Sequence, residues 1–127
     1  MADFGYKVLR FSLGLLARLP FGVLYALSDF LFIIIYYVAR YRRGLVDSNL
    51  AQCFPAKSED ERHAIARRFY RNFADYIVET IKLLHISDAE MARRMTFGNI
   101  ELIDSLVESG RSVAVYFSHC GNWEWAT

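Results

Sequence analysis

Apolar positions crowd the N-terminal end of this chain and then recur at helical spacing. Phe4, Val8, Phe11, Leu15 and Leu19 follow one another every three or four residues. Lys7, Arg10, Gly14 and Arg18 form a second stripe. The pattern predicts an amphipathic helix over 4–19 with a basic face, suited to a membrane interface or to a soluble core. Pro20 ends it. The next segment, 21–39, is almost wholly apolar and carries one charge, Asp29. A helix crosses a bilayer core with about 20 apolar residues, so its length fits. Asp29 near the middle costs about 2.5–3.5 kcal/mol on an insertion scale, and the run from Phe30 to Val38 offsets it. Arg40, Arg42 and Arg43 follow, beside Tyr36, Tyr37 and Tyr41, as at a cytoplasmic stop with an aromatic belt. Three readings stand: a transmembrane helix over 21–39, an in-plane or re-entrant anchor, or a buried helix. Basic residues on both sides leave the orientation open. Pro20 and the lack of a small-residue cleavage site argue against a signal peptide.

Residues 40–55 read as a basic connector closed by Phe54-Pro55. Ser58-Glu-Asp-Glu61 is a capping box and opens a long helix over 59–85. Its apolar face is Ile65, Phe69, Phe73, Ile77, Ile81 and Leu84, with Ala66, Tyr76 and Thr80. Arg68, Arg71, Asp75, Glu79 and Lys82 fall on the other side, read as a solvated face with Arg71–Asp75 and Glu79–Lys82 pairs. A docking face for an acidic partner is the second reading. His63 lies on the flank, and His85 sits where it meets the helix dipole.

Ser87-Asp-Ala-Glu90 is another capping box, for a short helix through about Met95. A further helix fits Asn99 to Ser109, with Ile100, Ile103, Leu106 and Val107 inward and Gly110 at its end. Val113 to Phe117 reads as a buried strand. Helix, glycine, apolar strand and a turn toward another helix make an α/β pattern.

A length of 127 residues gives one small domain, and a net charge of +1 gives no nucleic-acid signature. Cys53 and Cys120 have no zinc-type spacing and suit free thiols in a reducing compartment.

Candidate chemistry lies at the C-terminal end, in Ser118-His119-Cys120-Gly121-Asn122-Trp123-Glu124. Residues five apart lie about 140° apart on a helix and on opposite faces of a strand. His119 and Glu124 therefore meet only if the chain turns between them. Gly121 accepts positive φ, and Asn122 suits a helix N-cap. His119 then ends a strand and Glu124 opens a helix, at the edge where open α/β sheets place their sites. Imidazole takes a proton from a hydroxyl near neutral pH. The carboxylate orients it and stabilises the imidazolium, and amides at the helix start stabilise an oxyanion. The substrate hydroxyl attacks, so no serine nucleophile is needed. A metal site lacks a clear third ligand, and no cofactor is called for.

These residues resemble the H-x4-D/E motif of the lysophospholipid acyltransferase superfamily, and Gly-Asn-Trp-Glu124 resembles its lipid A biosynthesis branch, the lauroyl/myristoyl acyltransferases. Arg42-Arg43 followed by Asn49-Leu50 and Phe54-Pro55 is similar to that branch after its membrane anchor. Phe69-Tyr-Arg-Asn-Phe-Ala-Asp-Tyr resembles its long helix.

The resemblance implies an inner-membrane enzyme, its catalytic part facing the cytoplasm. It would move a fatty acyl chain from acyl carrier protein to a hydroxyl of a lipid A precursor. His119 would be the base and Glu124 its partner. Asn122 and Trp123 would bind substrate, and Arg42 and Arg43 would meet the acceptor's phosphates. The expected architecture is a membrane anchor over 1–43, then over 44–127 the helical start of an acyltransferase α/β domain. Family members are longer, so the rest of the sheet and of the acceptor site is expected beyond Thr127. An acyltransferase for another membrane glycolipid or lysophospholipid would share the motif. An inactive membrane-anchored fragment would carry it as a relic.

Overall fold

The computed structural model describes residues 2–116, 118 and 121–126. The chain divides into two compact units, Met1–His85 and Ile86–Thr127.

In the first unit, helix α1 (Ala2–Ala17) runs to a turn at Pro20, and α2 (Phe21–Ile33) follows. α2 continues into a π-helical turn over Ile34–Val38. The Ala39 amide reaches back to the Ile34 carbonyl at 2.8 Å. Arg40 (φ 49°) and Arg42 (φ 52°) then take left-handed backbone. Such conformations cost of order 1–3 kcal/mol each at non-glycine residues, and packing must hold them. They reverse the chain and launch α3 (Arg43–Cys53), whose first amides, those of Leu45 and Val46, donate to the Arg42 carbonyl at 3.1 Å. The expected basic connector over 40–55 is thus largely helix. Gly44 and the sparse apolar positions around it weaken the periodic signal there. Phe54-Pro55 stops α3, as expected.

α4 (Glu59–Lys82) begins at the expected capping box. The Ser58 hydroxyl accepts the Glu61 amide at 3.3 Å, and the Glu61 carboxylate accepts the Ser58 amide at 2.8 Å. The helix ends at Lys82 and tightens into a 3₁₀ turn over Leu83–His85.

α2 and α4 pack antiparallel, and their contacts form a ladder. The Lys82 ammonium lies over the Phe21 ring. The Tyr25 hydroxyl donates to Glu79 at 2.8 Å, and the Ser28 hydroxyl donates to Asp75. The Arg71 guanidinium covers the Phe32 ring at 5.2 Å, and Tyr36 meets Tyr70. The steps fall every three or four residues from Phe21 to Tyr36, and on α4 from Lys82 to Arg71, with Tyr70 next to Arg71 closing the seam. Lys82 Nζ also donates to the Ala17 and Leu19 carbonyls at 2.9 Å each, satisfying the end of α1.

This corrects the expected facing of α4. Its buried line is Ala66, Tyr70, Ala74, Val78 and Lys82. Asp75, Glu79 and Lys82 are not a solvated face with pairs along the helix; they turn toward α1 and α2. Phe69 and Leu84, expected inside, are exposed. Small Ala66 and Ala74 let α2 approach closely, so the seam runs along them and not along the phenylalanines. Phe69 stacks instead on Phe73, which stacks on Tyr41 just before α3. The core cluster is Phe32, Tyr36, Tyr70 and Ala74, and the Tyr70 hydroxyl donates to the Tyr41 carbonyl.

The second unit holds α5 (Asp88–Arg94) and α6 (Ile100–Glu108). The Ser87 hydroxyl accepts the Glu90 amide at 3.2 Å, one arm of the expected capping box, while the Glu90 carboxylate accepts from Arg93 and Arg94. Gly110 (φ 77°) ends α6. Its amide bonds the Val107 carbonyl and that of Arg111 the Leu106 carbonyl, a Schellman closure. Ile100 and Val107, expected inward, are exposed, and α6 has no fully buried residue. Among the described residues there is no β-strand, so the expected α/β class is seen only in its helical part. Val113 to Tyr116 run without strand pairing, and Tyr116 is 94% exposed. A strand needs partner strands for its ladder bonds, and the described residues provide none.

Candidate functional site

The motif that carries the candidate chemistry is described in part. His119 and Cys120 lie outside the described residues, as does Phe117 of the expected strand. Gly121 has φ 64°, the left-handed backbone expected for a turn between His119 and Glu124. Asn122, Trp123, Glu124 and Trp125 are half-buried. Trp123–Ala126 form one 3₁₀ turn, and the Trp125 amide donates to the Asn122 carbonyl at 3.3 Å. Glu124 is therefore in the first turn, as expected, but the element is a single turn. Four residues align too few peptide dipoles for the helix-start field anticipated from the sequence.

This segment places a carboxylate in a partly desolvated position directly after a sharp turn. Beside an imidazole, such a group selects one tautomer and leaves the other nitrogen to accept a proton. Among the described residues no group of three His, Cys, Asp or Glu side chains is arranged to hold a metal ion.

The other predicted substrate residues, Arg42 and Arg43, belong to the first unit and separate from each other. Arg42 lines a cavity of about 300 Å³ with Tyr41, Leu45, Asn49, Phe69 and Phe73. The Arg43 guanidinium lies 4.5 Å over the Tyr36 ring, a cation–π contact that ties it to the core. Tyr70 borders the same cavity; burial, reinforced by the Asp47 charge, raises its phenol above the usual range.

Sequence reasoning missed the polar seam of Tyr25, Ser28, Asp75, Glu79 and Lys82. A signal was present: Phe21, Tyr25, Ser28 and Phe32 recur at helical spacing inside the apolar run, so its two hydroxyls share one face. The segment Phe21–Val38 is long and apolar enough to cross a membrane, by length and composition. Along α1, Phe4 and Phe11 are about three-quarters exposed, at 74% and 73%.

Comparison with known proteins gives one family. The model for bacterial lipid A biosynthesis acyltransferases matches residues 6–127. No curated protein and no solved structure gives a significant match.

Proposed function

This chain belongs to the bacterial lipid A biosynthesis acyltransferases, and from that premise we propose that it transfers a fatty acyl chain from acyl carrier protein to a hydroxyl of a lipid A precursor. His119 is the general base and Glu124 its partner. The unprotonated imidazole nitrogen takes the acceptor's hydroxyl proton as its oxygen attacks the thioester carbonyl. The tetrahedral intermediate collapses, the carbon–sulfur bond breaks, and the imidazolium returns the proton to the departing thiolate. An ester and a free carrier thiol result. Asn122 and Trp123, between the two in the chain, are assigned to substrate binding. Arg42, at its aromatic cavity, is assigned toward the acceptor's phosphates.

The observation that carries this reading is the family match over residues 6–127, a span that includes His119 and Glu124; the left-handed backbone of Gly121 supports a turn between them.

The enzyme works at the inner membrane, with its catalytic part toward the cytoplasm. An in-plane seat for α1 and α2 fits the seam better than a crossing. If α2 spanned the bilayer as packed, Arg71, Asp75, Glu79 and Lys82 would enter it too, at about 2.5–3.5 kcal/mol for each charge near the centre. Lying in the interface, the helices sink their apolar faces and leave α4 in water.

The test uses membranes carrying the full chain, acyl carrier protein loaded with a labelled acyl group, and a lipid A precursor. Label is expected in the precursor, at a rate about 10²–10⁴-fold lower for His119→Ala. No transfer by the unaltered chain, or equal transfer by the variant, contradicts the proposal.

A further inference from the structure

A second cavity in the first unit, of about 580 Å³, has two unlike walls. Phe32 and Tyr37, from the apolar helix and its π-helical extension, form one. Arg67, Arg68 and Arg71 of α4 form the other, above Ala64. All three arginines are exposed, and none forms an ion pair among the described residues. The guanidinium of Arg71 is held in place over the Phe32 ring.

We propose that this groove of the first unit is a binding site for the phosphate of an anionic bilayer lipid, formed by residues other than those of the acyl-transfer motif. Three unpaired guanidinium groups in one concavity offer forked donors that match phosphate oxygens. The opposite wall belongs to the helix whose outer residues Phe30, Ile33, Ile34 and Val38 are exposed and apolar. Tyr37 stands at that boundary with a ring for acyl chains and a hydroxyl for the headgroup layer. A lipid meets both walls at once: its phosphate the arginines, its chains the apolar helix. The cavity's size suits a small-molecule headgroup. An acidic protein partner would need a patch of about 800 Å² on this chain, and the aromatic wall offers it no charge complement.

The experiment measures binding of the full chain to vesicles of phosphatidylcholine alone and of phosphatidylcholine with phosphatidylglycerol. Membrane association in general is read from the neutral vesicles. The groove is read from the gain on the anionic ones. The triple variant R67Q/R68Q/R71Q is expected to lose that gain, roughly fivefold per arginine and on the order of a hundredfold in all. R67Q/R68Q, which spares the Arg71–Phe32 contact, is expected to lose an intermediate share. The equal-charge control R93Q/R94Q/R111Q, in the other unit, is expected to keep it. Far-ultraviolet circular dichroism checks that each variant keeps its helix content. The proposal is overturned if the groove variants keep the gain, or if the control loses as much. It is also overturned if inorganic phosphate without lipid raises the thermal stability of the unaltered chain but not of the triple variant. That result would make free phosphate the ligand.

Discussion

Single residues with several partners carry much of the first unit. Lys82 is buried, and its ammonium group donates to the Ala17 and Leu19 carbonyls beside the Phe21 ring. Lys82→Met keeps the stem's volume and strands those carbonyls, so it is expected to lower unfolding free energy by about 1–3 kcal/mol in urea melts. Ser58→Ala removes the α4 cap and is expected to cost about 1 kcal/mol in the same assay. Glu61 adds a pH dependence. Its hydrogen bonds to the Ser58 amide and hydroxyl, helped by Lys57, hold its carboxyl below the usual range. A depressed folded-state pKa makes the contribution complete above the ordinary glutamate value near 4.3, and it fades as pH falls through and below that value. Glu61→Gln is expected to flatten that part of the stability curve, and unchanged curvature would show that the cap does not act through its charge. Arg94 and Arg93 hold Glu90 low in the same sense.

At the scale of elements, helices with strong local signals were legible and their faces were not. The capping box at Ser58, the hydroxyl cap at Ser87 and the stop at Gly110 appear where the residue pattern puts them, because each rests on interactions within a few residues. The buried line of α4 depended on a distant partner. Ala66 and Ala74 look unremarkable in sequence, yet their small size decides which side α2 can approach. Likewise α3 rests on the left-handed backbone at Arg40 and Arg42, which no propensity favours. If Ser28 and Asp75 join α2 to α4 as one coupled pair, Ser28→Ala and Asp75→Asn will not add. The cycle is expected to show 0.5–3 kcal/mol of interaction energy in denaturant melts, whereas additive effects would deny the seam this rung.

For the whole molecule, the apolar N-terminal helices and the long helix that follows them were legible because each has its own composition. The strand was not confirmed, since pairing is a property of several segments together and only one is present among the described residues. At the candidate site, Gly121 has the left-handed backbone expected of a turn and Glu124 lies in a single 3₁₀ turn where a helix was expected, while His119 lies outside the described residues. An in-plane anchor makes its own prediction. A probe attached at Phe30→Cys should be quenched by reagents about 5–10 Å below the headgroups, and quenching at the bilayer centre would argue for a crossing helix.

The central claim is that His119 and Glu124 act together on the acceptor hydroxyl, and a double-mutant cycle on acyl transfer tests it most directly. Rates are compared for the unaltered chain, His119→Ala, Glu124→Gln and the double variant. Groups acting as a unit give a double variant no slower than His119→Ala alone. Losses that multiply would mean that the two side chains act separately, and the account of the site would be wrong.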